Sequence, residues 1–266
     1  MRSGKVSVLR SLSVVGIAVG LSQAAMGAAS VSINPVTPIS STNVSLTSLG
    51  TSDWIRWEGN TSTLSAAPSQ FDHFVAGGSK ISTWAALPGS GNEFLDNNAA
   101  DNSNVGFSWT NGTPNLTGSN TFGYIWGDAN GNNSTNTGFS FTVATDASSY
   151  DLRLYGANYI TTAKLVATVL SPSQAPLATA TDTSWVNSNN VTPVIQSGYY
   201  DIIFNGAEAG DTLSVTFSVG TNFGSPQGTG EGYVGISAAA LSTVPEPGML
   251  GLALAGLLPI VARRRR

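Results

Sequence analysis

From residue 43 onward the chain alternates apolar and hydroxyl-bearing positions. The runs are Asn43-Val-Ser-Leu-Thr-Ser-Leu, Gly138-Phe-Ser-Phe-Thr-Val, Tyr150-Asp-Leu-Arg-Leu-Tyr, Lys164-Leu-Val-Ala-Thr-Val-Leu, Tyr199-Tyr-Asp-Ile-Ile-Phe and Thr212-Leu-Ser-Val-Thr-Phe-Ser-Val. A period of two puts one set of side chains on a buried face and the other in water, which is the signature of antiparallel strands. Between the runs lie Asn, Gly, Ser and Pro clusters at 128–134, 182–193 and 222–232 that favour turns and loops. Helical periodicity is nearly absent. The pattern predicts an all-β domain, an antiparallel β-sandwich of jelly-roll type, over residues 28–243. No Pro-rich linker or charge run divides that span, so one domain is expected.

The two ends of the chain depart from this pattern. Residues 1–27 begin with Arg2, Lys5 and Arg10, continue through an apolar run at 12–21, and reach small residues before Ala28. These are the three parts of a secretory signal peptide, with Ala25 and Gly27 at the −3 and −1 positions for cleavage before Ala28. Residues 244–266 read Val244-Pro245-Glu246-Pro247, then an uncharged apolar stretch at 249–262, then Arg263, Arg264, Arg265 and Arg266. A helix over that stretch would be about 21 Å long, short of the roughly 30 Å of a hydrocarbon core, and would need snorkelling arginines or a thinned bilayer to span it. The four arginines would hold the C-terminus on the cytoplasmic side with the body outside.

Val-Pro-Glu-Pro, an apolar helix and a terminal Arg cluster together resemble the PEP-CTERM sorting signal of Gram-negative bacteria. The resemblance implies export through the secretion translocon, transient residence in the inner membrane, and processing near Pro245-Glu246-Pro247 by an exosortase. It further implies a final place at the cell surface or outside the cell, in bacteria that commonly make exopolysaccharide. Most of the body also resembles a β-sandwich module of bacterial secreted proteins, through Thr51-Ser-Asp-Trp-Ile-Arg-Trp-Glu-Gly, Phe107-Ser-Trp-Thr-Asn-Gly-Thr-Pro, Leu152-Arg-Leu-Tyr-Gly and Ala209-Gly-Asp-Thr-Leu-Ser-Val-Thr-Phe. That resemblance implies a fold like those of carbohydrate-binding domains and no particular activity.

Charge changes the picture once it is divided by region. The whole chain carries −4, but seven of its 11 basic residues lie in the two terminal segments. The body holds 14 acids against Arg56, Lys80, Arg153 and Lys164, a charge of about −10. An acidic body argues against nucleic acid as a partner. The absence of Cys and the single His73 exclude disulfide scaffolds, thiolate metal sites and cysteine nucleophiles.

Candidate chemistry is sparse. Six tryptophans, Trp54, Trp57, Trp84, Trp109, Trp126 and Trp185, all lie in the body. Indole faces stack on the C–H faces of sugars, and Trp126 beside Asp128, with Trp185 in its loop, are the positions expected to form an exposed sugar platform; most of the others are expected in the core. Asp128, Asn130 and Asn132 place oxygens at alternate loop positions, as calcium ligands do, although Gly131 is displaced and position twelve is Phe139, not Glu. A solvated turn competes with that reading; no other cofactor is suggested. His73 follows Asp72, yet no Gly-x-Ser-x-Gly elbow accompanies it. Glu58, Glu93, Glu208 and Glu231 supply carboxylates of the kind a glycan hydrolase pairs. The expectation is an exported cell-envelope or matrix protein that acts by interaction and not as an enzyme. A carbohydrate-binding module for exopolysaccharide and a secreted glycan hydrolase are the alternatives.

Overall fold

A computed structural model describes residues 28–39, 43–57, 73–78, 80–88, 93–96, 105–127, 135–146, 148–189, 194–224 and 232–245. The signal peptide, the motif from Glu246 onward and the arginine cluster lie outside these residues. Among the described residues no helix is long and apolar enough to cross a membrane.

The chain is all-β. Its first half gives short strands: β1 (Ser30–Ile33), β2 (Thr37–Pro38), β3 (Asn43–Ser45), β4 (Asp53–Arg56), β5 (His73–Val75), β6 (Ala85–Ala86), β7 (Glu93–Asp96), β8 (Gly106–Trp109), β9 (Gly112–Thr113), β10 (Gly118–Thr121) and β11 (Tyr124–Gly127). Its second half gives long ones: β12 (Gly138–Ala144), β13 (Ser149–Tyr159), β14 (Thr161–Leu170), β15 (Pro176–Asp182), β16 (Gln196–Asn205), β17 (Thr212–Asn222) and β18 (Tyr233–Thr243). A single helical turn, α1 (Leu46–Leu49), replaces the second half of the strand expected at 43–49. Ser45 turns the chain there, its hydroxyl accepting from the Ser48 N–H, a cap that a Ser at this position favours.

The last eight strands make two sheets. In the large sheet β11, β18, β13 and β16 are neighbours in that order, and in the five-stranded sheet the order is β12, β17, β14, β15; the pairs are antiparallel throughout. The chain therefore passes from one sheet to the other at nearly every connection. Only β14 and β15 are consecutive within a sheet. The inward residues of both sheets, such as Leu152, Ile202, Phe204 and Leu241 from one and Phe141, Leu165, Val215 and Phe217 from the other, form one core.

The large sheet extends further. The edge of β18 is shared by two short strands lying end to end, β11 against 234–236 and β4 against 238–241. Ser237 is the extra residue of a bulge where β18 changes partner. Two strand ends meet there, and Arg56 fills the junction. Its guanidinium donates to the carbonyls of Trp57, Ser237 and Gly123, lies 5.3 Å from the Phe107 ring centre, and is fully buried.

Across the outer face of the large sheet lies a further layer, the small sheet β10-β8-β3 with α1. Leu46, Trp54, Val105, Phe107 and Trp109 pack there on Tyr155, Ala238 and Ala240. The outer face of the five-stranded sheet carries Ser140, Thr142, Thr168, Thr179, Ser214 and Thr216, half-buried or exposed, with Lys164 as its one charge among the described outward positions.

The two ends of the double sheet also differ. Turns at 145–148, 171–175 and 206–211 are short, whereas at the opposite end the connections at 128–137, 183–195 and 223–232 are long and only the one-residue step at Ile160 between β13 and β14 is tight. Ser30, Asn205 and Ser149 stand in one row at the short-turn end, and the Val244 N–H donates to the Ser149 carbonyl at 2.8 Å. Chain entry and chain exit thus lie three strands apart, about 14 Å.

Candidate functional site

The tryptophans are interior. Trp126 is 2% exposed and Trp185 5%, so neither forms the exposed sugar platform expected from the sequence. Trp126 sits on β11 across from Gly235, where an added Cβ would approach the indole to 2.9 Å, and Tyr124 and Tyr233 close around it. A glycine on one strand thus makes the seat for an indole on the next. Trp185 plugs the core at the long-loop end, 5.8 Å from the ring centre of Tyr200 and 6.2 Å from that of Phe217. Its Nε1–H donates to Gln196 Oε1, and its backbone carbonyl accepts from Ala163 and from the Asn158 amide. The physical reason for both is the same: a large aromatic in a two-layered β fold gains more by filling it than by facing water. Trp54, Trp57, Trp84 and Trp109 are core, as expected.

Asp128, Asn130 and Asn132 lie outside the described residues, as do Glu58 and Glu231. Among the described residues no group of three or more His, Cys, Asp or Glu is suited to hold a metal ion. Glu93 belongs to β7, and the Glu208 N–H is tied to Asp211 Oδ2 at 3.1 Å in the turn at 206–211. His73 is buried in β5 with its ring stacked on Trp109 at 4.9 Å, a packing position.

What the structure brings together is a strip on the outer face of the large sheet that sequence reasoning missed. Arg153 on β13 stands opposite Asp201 on β16, and the two form a bidentate pair, Nε to Oδ1 at 2.7 Å and Nη2 to Oδ2 at 3.1 Å. The guanidinium lies 4.1 Å from the centre of the Tyr199 ring. Burial lowers the tendency of Arg153 to stay charged, but the hydrogen bond and charge of Asp201 outweigh it and raise its pKa. Two residues away on the same face, burial lifts the Asp151 carboxyl above its ordinary range, with Asp201 adding to the effect and Arg153 opposing it. On the other side Tyr155 is pushed up to about 12, chiefly by burial. The signal was present in Tyr150-Asp-Leu-Arg-Leu-Tyr and Tyr199-Tyr-Asp, whose outward positions carry these groups. Only the register joins them.

Asp151 and Asp201 are diagonal neighbours, about 7–8 Å apart at Cα. Burial pushes the Asp151 carboxyl toward its neutral form, and Asp201 accepts from the Arg153 guanidinium. Both Asp201 oxygens are occupied by Arg153, which makes the pair a clamp between β13 and β16. At the short-turn end Lys80 Nζ donates to the Tyr150 hydroxyl at 2.8 Å, and that hydroxyl donates to Asp146 Oδ2 at 2.9 Å. At the long-loop end Tyr159 and Tyr233, half-buried, stack at 5.7 Å with planes 14° apart.

No protein-family model matches the chain. No curated protein matches it.

Proposed function

We propose that this is an exported cell-envelope or extracellular-matrix protein whose body, a jelly-roll β-sandwich, acts by interaction and not by catalysis. In this reading residues 1–27 direct secretion, and the segment from Val244 is a PEP-CTERM signal processed by an exosortase after transient residence in the inner membrane. The strand orders β11-β18-β13-β16 and β12-β17-β14-β15, with the chain crossing between sheets, support the jelly-roll form. The observation that carries the functional reading is the shared row of Ser30 and Val244: both sorting segments adjoin the short-turn end of the body. A body held at that end presents its opposite end outward, where Tyr159 and Tyr233 lie.

The test is expression in a PEP-CTERM-competent host, with mass spectrometry of the mature termini. The reading expects loss of residues 1–27, loss of the tail near Pro245-Glu246-Pro247, and recovery at the cell surface. Intact protein in the cytoplasm would overturn it. Deleting residues 246–266 is expected to release the body or leave it in the periplasm.

A second reading, recognition of exopolysaccharide, draws support from the stacked, half-buried Tyr159 and Tyr233 at the long-loop end. Glycan-array binding that is lost in Tyr233→Ala is its expected result, and no binding by the parent chain, with or without calcium, counts against it.

A further inference from the structure

Every sheet edge exposes a row of backbone donors and acceptors that invites another strand, and folded proteins blunt it with short strands, proline, charge or bulges. Most edges here are blunted. Along the β16 side of the large sheet the edge is broken into β1 and the two-residue β2, separated by Asn34, Pro35 and Val36, with a second proline at Pro38. At the other side β9 has two residues and is followed by Pro114. The five-stranded sheet ends on one side in the two-residue β6. In the small sheet β10 has four residues and a register shift.

The longest edge strand among the described residues is different. Strand β15, Pro176-Leu-Ala-Thr-Ala-Thr-Asp182, is seven residues long and, among the described residues, pairs with β14 on one side only. Between its end residues it has no proline and no charge, and its one register shift lies at the Pro176 end. Strand β1 lies close to it, with Ala178 packed against the shared core, but is not its ladder partner. Its outward side carries Leu177, 44% exposed, with Thr179 and Thr181.

We infer that β15 is the site at which two copies of this chain pair edge to edge, joining their five-stranded sheets into one continuous antiparallel sheet. The occupant is a second copy because the strand is complementary to itself. With a two-fold axis at Thr179, Leu177 of one copy meets Thr181 of the other, Ala178 meets Ala180, and Asp182 meets Pro176, so no like charges are opposed. In a body of charge about −10, an uncharged strip is also where two copies meet with least repulsion.

The experiment uses the full chain in mild nonionic detergent, with molar mass read by light scattering and sedimentation. The parent is expected to be a concentration-dependent dimer. Thr179→Lys, which puts two lysines face to face, is expected to weaken association roughly tenfold or more at unchanged far-ultraviolet dichroism. Thr179→Glu is expected to do the same, and mixing the two variants to restore the dimer as a heterodimer. Leu177→Lys repeats the test at a second exposed position. Because the chain has no cysteine, Thr179→Cys is expected to give a disulfide-linked dimer on mild oxidation, whereas Thr142→Cys on β12 is not. A monomeric parent at high concentration, a Thr179→Lys dimer as tight as the parent, or a lysine–glutamate mixture that stays monomeric would each overturn the inference.

Discussion

The two sheets share a core yet treat their outer faces in opposite ways. The large sheet buries the part of its outer face around Trp54, Tyr155 and Ala240 under Leu46, Phe107 and Trp109, while the five-stranded sheet shows rows of Ser and Thr to solvent. A covered face has to be apolar on both sides of its strands, so β18 reads Val234-Gly-Ile-Ser-Ala-Ala-Ala-Leu with no alternation. An open face keeps the alternation, as in the apolar and hydroxyl residues of β12 and β17. The difference teaches that one further layer thickens this fold on the side of the large sheet, while the five-stranded sheet meets water directly.

That contrast is most sharply tested by truncation. Trp54→Ala, at a fully buried indole between the covering layer and the large sheet, is expected to cost about 3–5 kcal/mol in urea unfolding. Arg56→Met keeps the length of the side chain but removes the guanidinium hydrogen bonds to the carbonyls of Trp57, Ser237 and Gly123, of which Ser237 keeps the Trp57 N–H, and a loss of about 2–3 kcal/mol is expected by the same measurement.

Alkaline titration gives the next largest effect. The folded pKa of Tyr155 is raised to about 12, so the neutral form is favoured in the fold. Its stabilisation is fully present below the unfolded value near 10 and is lost as pH climbs from there through 12, roughly 2 kcal/mol in all. Tyr155→Phe is expected to flatten that part of the stability profile; Tyr200, which burial also raises, keeps it from vanishing. Arg153→Met is expected to cost about 1 kcal/mol beyond its packing, the worth of a partly exposed clamp, and that difference should shrink in high salt. On the open face Thr142→Val is expected to stay within about 0.5 kcal/mol of the parent. Equal costs at Trp54 and Thr142 would erase the distinction between the faces.

The same contrast decides what was legible in the sequence. Alternation located β12, β13, β14, β16 and β17, because each keeps at least part of its length with one face wet. It passed over β18, wet on neither face along most of its length, and β15, whose Ala and Thr residues give only a faint apolar signal. It overran β3, where Ser45 caps a helical turn in place of a longer strand. The aromatic positions were visible, but not their depth: Trp126 reads as a loop indole beside Asp128 until Gly235 is seen across the ladder. The clamp of Arg153 and Asp201 joins residues 48 apart in sequence, and no local pattern encodes that register.

The common row of Ser30 and Val244 has a mechanical meaning. Pulling the two chain ends apart would unzip the large sheet, opening β1 from β16 and β18 from β13 one hydrogen-bonded pair at a time. Pulling Val244 against the opposite end of the double sheet loads the strands lengthwise instead. The eleven-residue β18 must then slide past β13 on one side and β4 and β11 on the other, with the bonds of all those ladders resisting together. The fold therefore resists a load along its strands more strongly than separation of Ser30 from Val244.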